Sequence, residues 1–259
     1  MVDEGETCDA GSENGQVCTV SCTLNEAACV DFNPDDSPSG NNHVQLPVAP
    51  FRDLASSTLE TWIYAAAVPA LALGVVETEQ TRLRFFPDGT LRVEARPRAA
   101  TTSFFLLFCP APFPLNGWHH VAATVSGTST TDSGTTVALY IDGEQVPNCA
   151  LSEENSGGED QHRSDLLGTL SPETDAETGI DSASRGFDGK LGHYLRGWDH
   201  VRSASDLAGG RYVHYASPVS GLVMQYRFDT QSSPDSVLDL AQPGNAAATF
   251  EGATAWCLP

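Results

Sequence analysis

The residues best suited to catalysis lie in the stretch "PETDAETG", where Glu173, Asp175 and Glu177 alternate with other residues. Alternate side chains of a β-strand point to one face, so a strand here would present three carboxyl groups side by side. Two carboxyl groups in that arrangement can act as nucleophile and acid/base in the hydrolysis of a glycosidic bond. However, Pro172 flanks the stretch, and residues 152–186 around it are polar. We therefore favour a charged, solvated loop.

Histidines offer a second possible chemistry. His193, His200 and His214 lie near one another in the sequence, but their spacing matches no helical pair of zinc ligands. His119 and His120 adjoin in "GWHHVAATVSG", and we interpret both as packed or hydrogen-bonded strand residues. The chain also lacks Gly-x-Ser-x-Gly, His-Glu-x-x-His and the glycine-rich nucleotide loops, which removes the commonest enzyme templates.

The elements that position these residues are predicted to be β-strands. In "TRLRFFPDGTLRVEA", Leu83 and Phe85 share one face, and the residues Pro87-Asp88-Gly89 predict a hairpin turn. In "WHHVAATVSG", Val121 is in phase with Ala123 and Val125, which places His119 on the buried face and His120 on the other. A second tight turn is predicted at Asp142-Gly143.

One short helix is predicted at residues 203–210, starting at Ser203 or Ser205 and ending at glycine. Together with the strands, this pattern favours two packed antiparallel sheets. Aromatic residues on the open faces of such strands are the usual carbohydrate platforms, and the candidate ligand-binding residues are Tyr140, Tyr194 and Trp198. Trp62 and Trp118 are expected to pack inside.

Composition excludes some partners. The chain has 259 residues and a formal net charge of −21, from 13 basic and 34 acidic residues. It offers no basic patch to phosphates, so neither nucleic acid nor an anionic membrane is an expected partner. Its longest apolar run, "YAAAVPALALGVV", contains a proline and is too short to insert into a membrane.

Cysteines indicate an oxidising compartment. A zinc site would need two CxxC-type pairs, whereas Cys18 and Cys22 form a single loose pair, so a disulfide framework fits better. The count of seven leaves one thiol free or partnered upstream. The first residues, "MVDEGETCDAG", contain no signal peptide, and we expect the chain to be a fragment of a larger secreted or surface protein. The full set is Cys8, Cys18, Cys22, Cys29, Cys109, Cys149 and Cys257.

Five stretches in order resemble the laminin-G-like, concanavalin A-like jelly-roll domains across residues 29–259. They are "ACVDFNPDDSPSGNNHVQLP", "STLETWIYA", "LNGWHHVAATVSG…VALYIDGEQV", "RGFDGKLGHYLRGWDHVRSASDL" and "GLVMQYRFDTQSSPDSVLDLAQPGNAAATFEG". One departure stands out, because Gly192-His193 occupies the position of the family's Asp-Glu. The Glu-x-Asp-x-Glu stretch resembles the catalytic strand of a glycoside hydrolase family that shares this fold.

Residues 1–28 resemble the cysteine-rich repeat of myxobacterial surface proteins, carried by "DEGETCDAGSENGQVCTVSCTL" without the first cysteine of that repeat. The resemblances imply two domains: a small disulfide-rich segment at 1–28, and an all-β, two-sheet antiparallel jelly-roll sandwich at 29–259. In this segment, we expect Cys8 to pair with Cys18 or Cys22.

The jelly-roll resemblance implies that the first and last strands lie side by side and antiparallel. Cys29 and Cys257 would then meet and form a disulfide, and Cys109 would pair with Cys149 at one end of the sheets. The same closeness would gather acidic loops at one rim, where hard oxygen ligands would suit Ca²⁺. Ordinary turn-forming residues remain the alternative. The expected ligands are Asp35, Asp36, Asn41, Asp229 and Asp239.

The function that these observations favour is a non-catalytic binding or adhesion module, extracellular or on the cell surface, within a larger protein. Its ligand would be a glycan or a surface protein. One alternative is a glycan-cleaving hydrolase that uses Glu173 and Glu177; another is a structural accessory domain of a secreted protease. The fold supports all three, so the site must decide among them.

Overall fold

A computed structural model of the chain describes residues 29–32, 43–46, 54–69, 73–78, 81–95, 103–127, 135–155, 169–170, 189–213, 215, 219–228, 233–241, 247–251 and 255–257. These residues form antiparallel strands and one short helix. The predicted two-sheet jelly-roll sandwich is confirmed. The predicted N-terminal segment, residues 1–28, lies outside the described residues.

The first sheet, here sheet 1, contains eight strands among the described residues. Seven of them follow the spatial order β10 (Glu144–Gln145), β9 (Thr136–Ile141), β8 (Trp118–Ser126), β3 (Ser56–Ala65), β13 (Gly189–Trp198), β1 (Cys29–Asp31) and β17 (Ala255–Trp256). The eighth, β14 (Leu222–Arg227), pairs with β13 beyond the end of β1. Every pairing in this sheet is antiparallel.

The second sheet, sheet 2, contains nine strands within the same described ranges, and it is also antiparallel. Its order is β11 (Ala150–Asn155), β7 (Ser103–Pro112), β6 (Thr90–Ala95), β5 (Thr81–Phe85), β4 (Leu73–Glu77), β12 (Thr169–Leu170), β2 (His43–Gln45), β16 (Ala248–Glu251) and β15 (Ser236–Val237).

The hydrophobic core lies between the two sheets. Ile63, Val121 and Leu191 of sheet 1 belong to the same buried cluster as Leu83 and Val93 of sheet 2. Each of these side chains alternates along its strand with residues of the opposite face, as the period of two requires. Burying a side chain of this size contributes roughly 1.5–3 kcal/mol, so the shared core holds the sheets together.

Both predicted hairpin turns are present. Asp142 and Gly143 join β9 to β10 with φ of 54° and 85°, the left-handed region that such a turn demands. Gly89, at φ of 80°, turns the chain between β5 and β6. There, Oδ1 of Asp88 accepts a hydrogen bond of 3.0 Å from the backbone N–H of Thr90. The local sequence therefore sets the register of both hairpins.

The helix α1 (Ala204–Gly210) occupies the predicted segment and starts after Ser203. The Ser203 hydroxyl accepts a hydrogen bond from the backbone N–H of Asp206, and the Asp206 carboxylate accepts one from the backbone N–H of Ser203. This capping box fixes where the helix begins. In the described part of the chain, no helix is long and apolar enough to span a membrane.

Each of two disulfides joins neighbouring strands within one sheet. Cys29 at the start of β1 is bonded to Cys257 after β17, with Cα atoms 5.1 Å apart. Cys109 in β7 is bonded to Cys149 just before β11, with Cα atoms 4.1 Å apart. Both predicted pairings are confirmed, and so is the antiparallel contact of β1 with β17. Cys8, Cys18 and Cys22 lie outside the described residues.

Candidate binding surface

The outer face of sheet 1, on the side away from the core, carries most of the polar and aromatic candidates. On β3 this face presents Glu60, Trp62 and Tyr64, which alternate with residues such as Ile63 of the core. Residues 199–213 and 215, which include α1 and are called the covering segment, lie over much of this face. Leu207 of the helix is fully buried in a cluster with Ala122 and Tyr140.

A buried ion-pair network ties this covering segment to the sheet. Arg202 donates to both carboxylate oxygens of Glu60, at 2.8 and 3.0 Å, and Trp198 Nε1 donates to Oε1 at 2.9 Å. Arg196 lies 3.6 Å from Oε1, and His120 Nε2 lies 3.3 Å from Oε2. Burial by itself would raise the pKa of Glu60, but contact with His120 and the charges of Arg196 and Arg202 lower it to about 2. Glu60 is therefore a permanently ionised anchor.

Arg196 extends this anchor into the covering segment. Its guanidinium lies 3.5 Å from the centre of the Tyr194 ring, and it donates to the backbone carbonyls of Gly210 and Val213. The Tyr194 hydroxyl donates to the carbonyl of Arg211 at 2.8 Å. Because these buried charges are paired and hydrogen-bonded, the network serves to hold the segment in place.

The prediction that Tyr140, Tyr194 and Trp198 lie on open strand faces is wrong. Their exposed fractions are 8%, 0% and 3%, because the covering segment lies over the face that they share. Alternation along a strand shows that two faces differ in composition, but it cannot show that a distant segment folds over the second one. Trp62 is buried as expected, although it lies on the outer face beneath Tyr212, with ring centres 5.5 Å apart.

Half-buried aromatic side chains lie where this cover ends. Tyr64 on β3 and Trp118 on β8 are direct cross-strand partners, with ring centres 5.7 Å apart. Tyr212, also half-buried, packs against Trp62, which shares the outer face of β3 with Tyr64. We call Tyr64, Trp118 and Tyr212 the aromatic patch. Trp118, which is expected in the interior, is thus half-buried at the surface, and the sequence patterns identify neither of the two tyrosines.

Gly192 and His193, the departure from the family pattern, lie directly behind the patch. A Cβ atom on Gly192 would come within 2.5 Å of Cζ3 of Trp118, so the indole rests against a backbone position that only glycine leaves open. His193 lies in a bulge of β13, between the pairs Gly192–Trp62 and Leu195–Thr61. This departure is the sequence signal that could have located the patch.

His193 supports the patch from below. Its φ is 58°, and its ring lies 5.5 Å from that of Trp62 and 5.6 Å from that of Trp118. Burial lowers its pKa to about 3, so the ring is neutral at neutral pH. Neither ring nitrogen hydrogen-bonds to any residue in the described ranges. A bulge with positive φ is a strained feature of the kind that often occurs at functional sites.

The adjacent histidines of β8 face opposite sides of sheet 1, as the alternation predicts. His119 Nδ1 lies 2.7 Å from Oδ2 of Asp142 and its ring packs on Phe113, which fastens the β9–β10 turn to β8. His120 is fully buried, because the outer face that it occupies is covered. In the structure, both side chains hold neighbouring elements in place.

The expected calcium ligands are mostly outside the described residues. Asp239 is described and is 5% exposed, with Oδ1 accepting hydrogen bonds from the backbone N–H groups of Gln225 and Ala241. This oxygen therefore holds residues 239–241 against β14. Within the described ranges, no three or more His, Cys, Asp or Glu residues are arranged to hold a metal ion. The other four expected calcium ligands lie outside the described residues: Asp35, Asp36, Asn41 and Asp229. The candidate catalytic pair, Glu173 and Glu177, also lies outside them.

Comparison with known proteins identifies the family. A sequence profile described as the concanavalin A-like lectin/glucanases superfamily matches residues 38–208, more than half of the chain. The chain belongs to this superfamily. No curated protein sequence matches the chain.

Solved structures also show similarity to this superfamily member. One is a candidate carbohydrate-binding protein from Bacteroides ovatus, with a TM-score of 0.55 and 18% identity over 87% of this chain and 58% of that protein. The chain thus spans less than two thirds of this neighbour. Another is a heptameric SAP-like pentraxin from Limulus polyphemus, with a TM-score of 0.45 and 16% identity over 85% of this chain and 94% of that one.

Proposed function

We propose that this superfamily member is a non-catalytic, extracellular glycan-binding module, and that the glycan binds on the aromatic patch. The observation that carries the proposal is the group of half-buried rings of Tyr64, Trp118 and Tyr212 at the edge of the covered face. Aromatic rings held in this way offer an apolar platform to the C–H face of a sugar ring, and hydroxyl or indole groups at their edges can hydrogen-bond.

The size of the patch favours a sugar over a protein. A fully buried aromatic side chain contributes about 150–250 Å² of contact area, so three half-buried rings offer roughly half of about 600 Å². A specific protein interface needs about 800 Å² from each partner. A glycan of one or two rings needs far less, and the stiff aromatic side chains lose little conformational freedom on binding it.

Family and covalent chemistry support the same proposal. The superfamily is named for lectins and glucanases, both of which bind glycans, and a structural neighbour is described as a candidate carbohydrate-binding protein. Two disulfides support an oxidising, extracellular compartment. The buried carboxylate Glu60 supports a non-catalytic role for the outer face, because both of its oxygens accept from Arg202 and its pKa of about 2 leaves it no proton to donate at neutral pH.

The test is a glycan array probed with the unaltered domain and with Trp118→Ala. We expect one class of glycan to bind and the variant to lose at least about tenfold in affinity, equivalent to about 1.4 kcal/mol. Phe108→Ala is the matched control, because Phe108 is an exposed aromatic residue, at 37%, on sheet 2. It should bind like the unaltered domain.

Gly192→Ala provides a second test, which keeps all three patch residues and changes only the position of one of them. The added methyl group would push the Trp118 indole away from the sheet, so binding should fall while the thermal unfolding curve stays cooperative. Equal binding by the domain, Trp118→Ala and Gly192→Ala would contradict the proposed site. Release of reducing sugars from a bound glycan would contradict the non-catalytic role.

A further inference from the structure

The two strand partners of the aromatic patch continue into a row of side chains that crosses four strands. Trp118 of β8 is paired with Tyr64 of β3, Tyr64 is paired with Lys190 of β13, and Lys190 is paired with Asp31 of β1. Residues paired across antiparallel strands point to the same face. Neighbouring strands are about 4.8 Å apart, so the row is about 14 Å long, enough for more than one sugar ring.

The two halves of this row differ in chemistry. Tyr64 and Trp118 form the aromatic half. In the other half, Lys190 Nζ lies 3.1 Å from Oδ2 of Asp31, with 39% and 18% of the two side chains exposed. Lys190 is the only lysine of the chain. Beyond the bond between them, the partly exposed ammonium can donate to a sugar hydroxyl and the carboxylate can accept from one, within the span of one sugar.

We infer that the row Asp31–Lys190–Tyr64–Trp118 is the track along which the glycan lies, and that the Lys190–Asp31 pair is the polar subsite that selects a neutral oligosaccharide. This inference rests on the proposed function. One sugar ring stacks on the aromatic half. Vicinal hydroxyls of the next ring accept from the ammonium of Lys190 and donate to the carboxylate of Asp31.

Charge favours a neutral sugar over an acidic one. The pair Lys190–Asp31 has no net charge, so a uronate carboxylate would have to displace Asp31 from Lys190 and then lie beside it. The molecule as a whole carries a formal charge of −21, which repels anionic glycans at long range. A diol meets no such cost, because hydroxyl groups both donate and accept.

The experiment measures binding by calorimetry with named probes. Cellotetraose, maltotetraose and β-1,4-galactotetraose are the neutral probes, and tetragalacturonate is the acidic one. The unaltered domain should bind a neutral probe at least tenfold more tightly than tetragalacturonate. Lys190→Met and Asp31→Asn should each weaken that neutral binding about five- to tenfold, and the double variant should be little weaker than either single one, because the two groups act together.

A matched control comes from a second ion pair on the other sheet. Arg92 Nη2 lies 2.5 Å from Oδ2 of Asp88, and Arg92→Met should leave the binding of every probe unchanged. This control removes a cation and an ion pair while leaving the row intact. Thermal unfolding of each variant checks that the fold is retained.

The outcomes separate the inference from the proposed function. If Trp118→Ala abolishes neutral binding but Lys190→Met and Asp31→Asn bind normally, the polar subsite is wrong and the glycan-binding role stands. Tighter binding of tetragalacturonate than of every neutral probe overturns the selectivity, as does failure of all three neutral probes to bind. If Trp118→Ala leaves the binding of a probe unchanged, the proposed site itself is wrong.

Discussion

Acid should destabilise the domain through one histidine. His193 is buried behind the aromatic patch, and burial lowers its pKa from 6.5 to about 3. The unfolded chain therefore binds a proton at this site as the pH falls below 6.5, whereas the folded chain does not. The contribution to the free energy of unfolding is complete above pH 6.5 and is lost progressively between pH 6.5 and 3.

The size of this effect follows from the pKa difference. One pKa unit corresponds to about 1.4 kcal/mol, and the unfolded histidine is already half protonated at pH 6.5, so the fall from pH 6.5 to 4.5 removes about 2 kcal/mol through His193 alone. Glu60 loses its own stabilisation only as the pH falls from 4.5 towards 2. Measurements at pH 4.5 and above therefore isolate the histidine from this carboxylate.

The assay is urea unfolding at pH 7.5, 6.5, 5.5 and 4.5 for the unaltered domain and His193→Asn. Asparagine does not titrate and tolerates the φ of 58° at this position. The variant should be less stable at pH 7.5, because the ring no longer packs on Trp62 and Trp118, but its stability should fall about 2 kcal/mol less between pH 6.5 and 4.5. His200→Asn, at a side chain 47% exposed, is the control and should keep the original pH dependence.

Two results of these unfolding measurements would contradict the prediction. Parallel pH profiles of the unaltered domain and His193→Asn would mean that His193 is protonated in the folded state near neutral pH. Its burial behind the patch would then be wrong. A flattened profile in His200→Asn would place the titrating group on the surface instead.

Three further predictions concern covalent links, calcium and catalysis. Replacing Cys29 and Cys257 by serine should lower the free energy of unfolding by about 5 kcal/mol in the chain-entropy model, because the disulfide closes a loop of 228 residues. Replacing Cys109 and Cys149 should lower it by about 4 kcal/mol, because that loop has 40 residues. Calorimetry on the two variants compares these losses. Calcium binding stays a prediction: millimolar Ca²⁺ should raise the melting temperature relative to EDTA, and equal temperatures would end it. No hydrolysis of β-glucans or galactans is expected, whereas turnover that Glu173→Gln abolishes would establish an enzyme.

Sequence patterns determined the strands and the tight turns of this protein. Alternating apolar residues such as Val121 and Leu83 predicted buried strand faces, and Asp142-Gly143 predicted a tight turn, because both signals act within a few residues of the chain. The motif order resembled a known jelly roll, and that resemblance placed Cys29 beside Cys257. The helix start at Ser203 was also readable, since a capping box is local.

Only the tertiary structure decided which side chains are open to a ligand. Glu60 and Arg202 are 142 residues apart in sequence, yet their ion pair holds a covering segment over Tyr194 and Trp198. The row from Asp31 to Trp118 likewise depends on how four strands pair with one another. That register cannot be read from the sequence of any one strand. Alternation along one strand gives two faces, but long-range pairing decides what lies on each and where the cover ends.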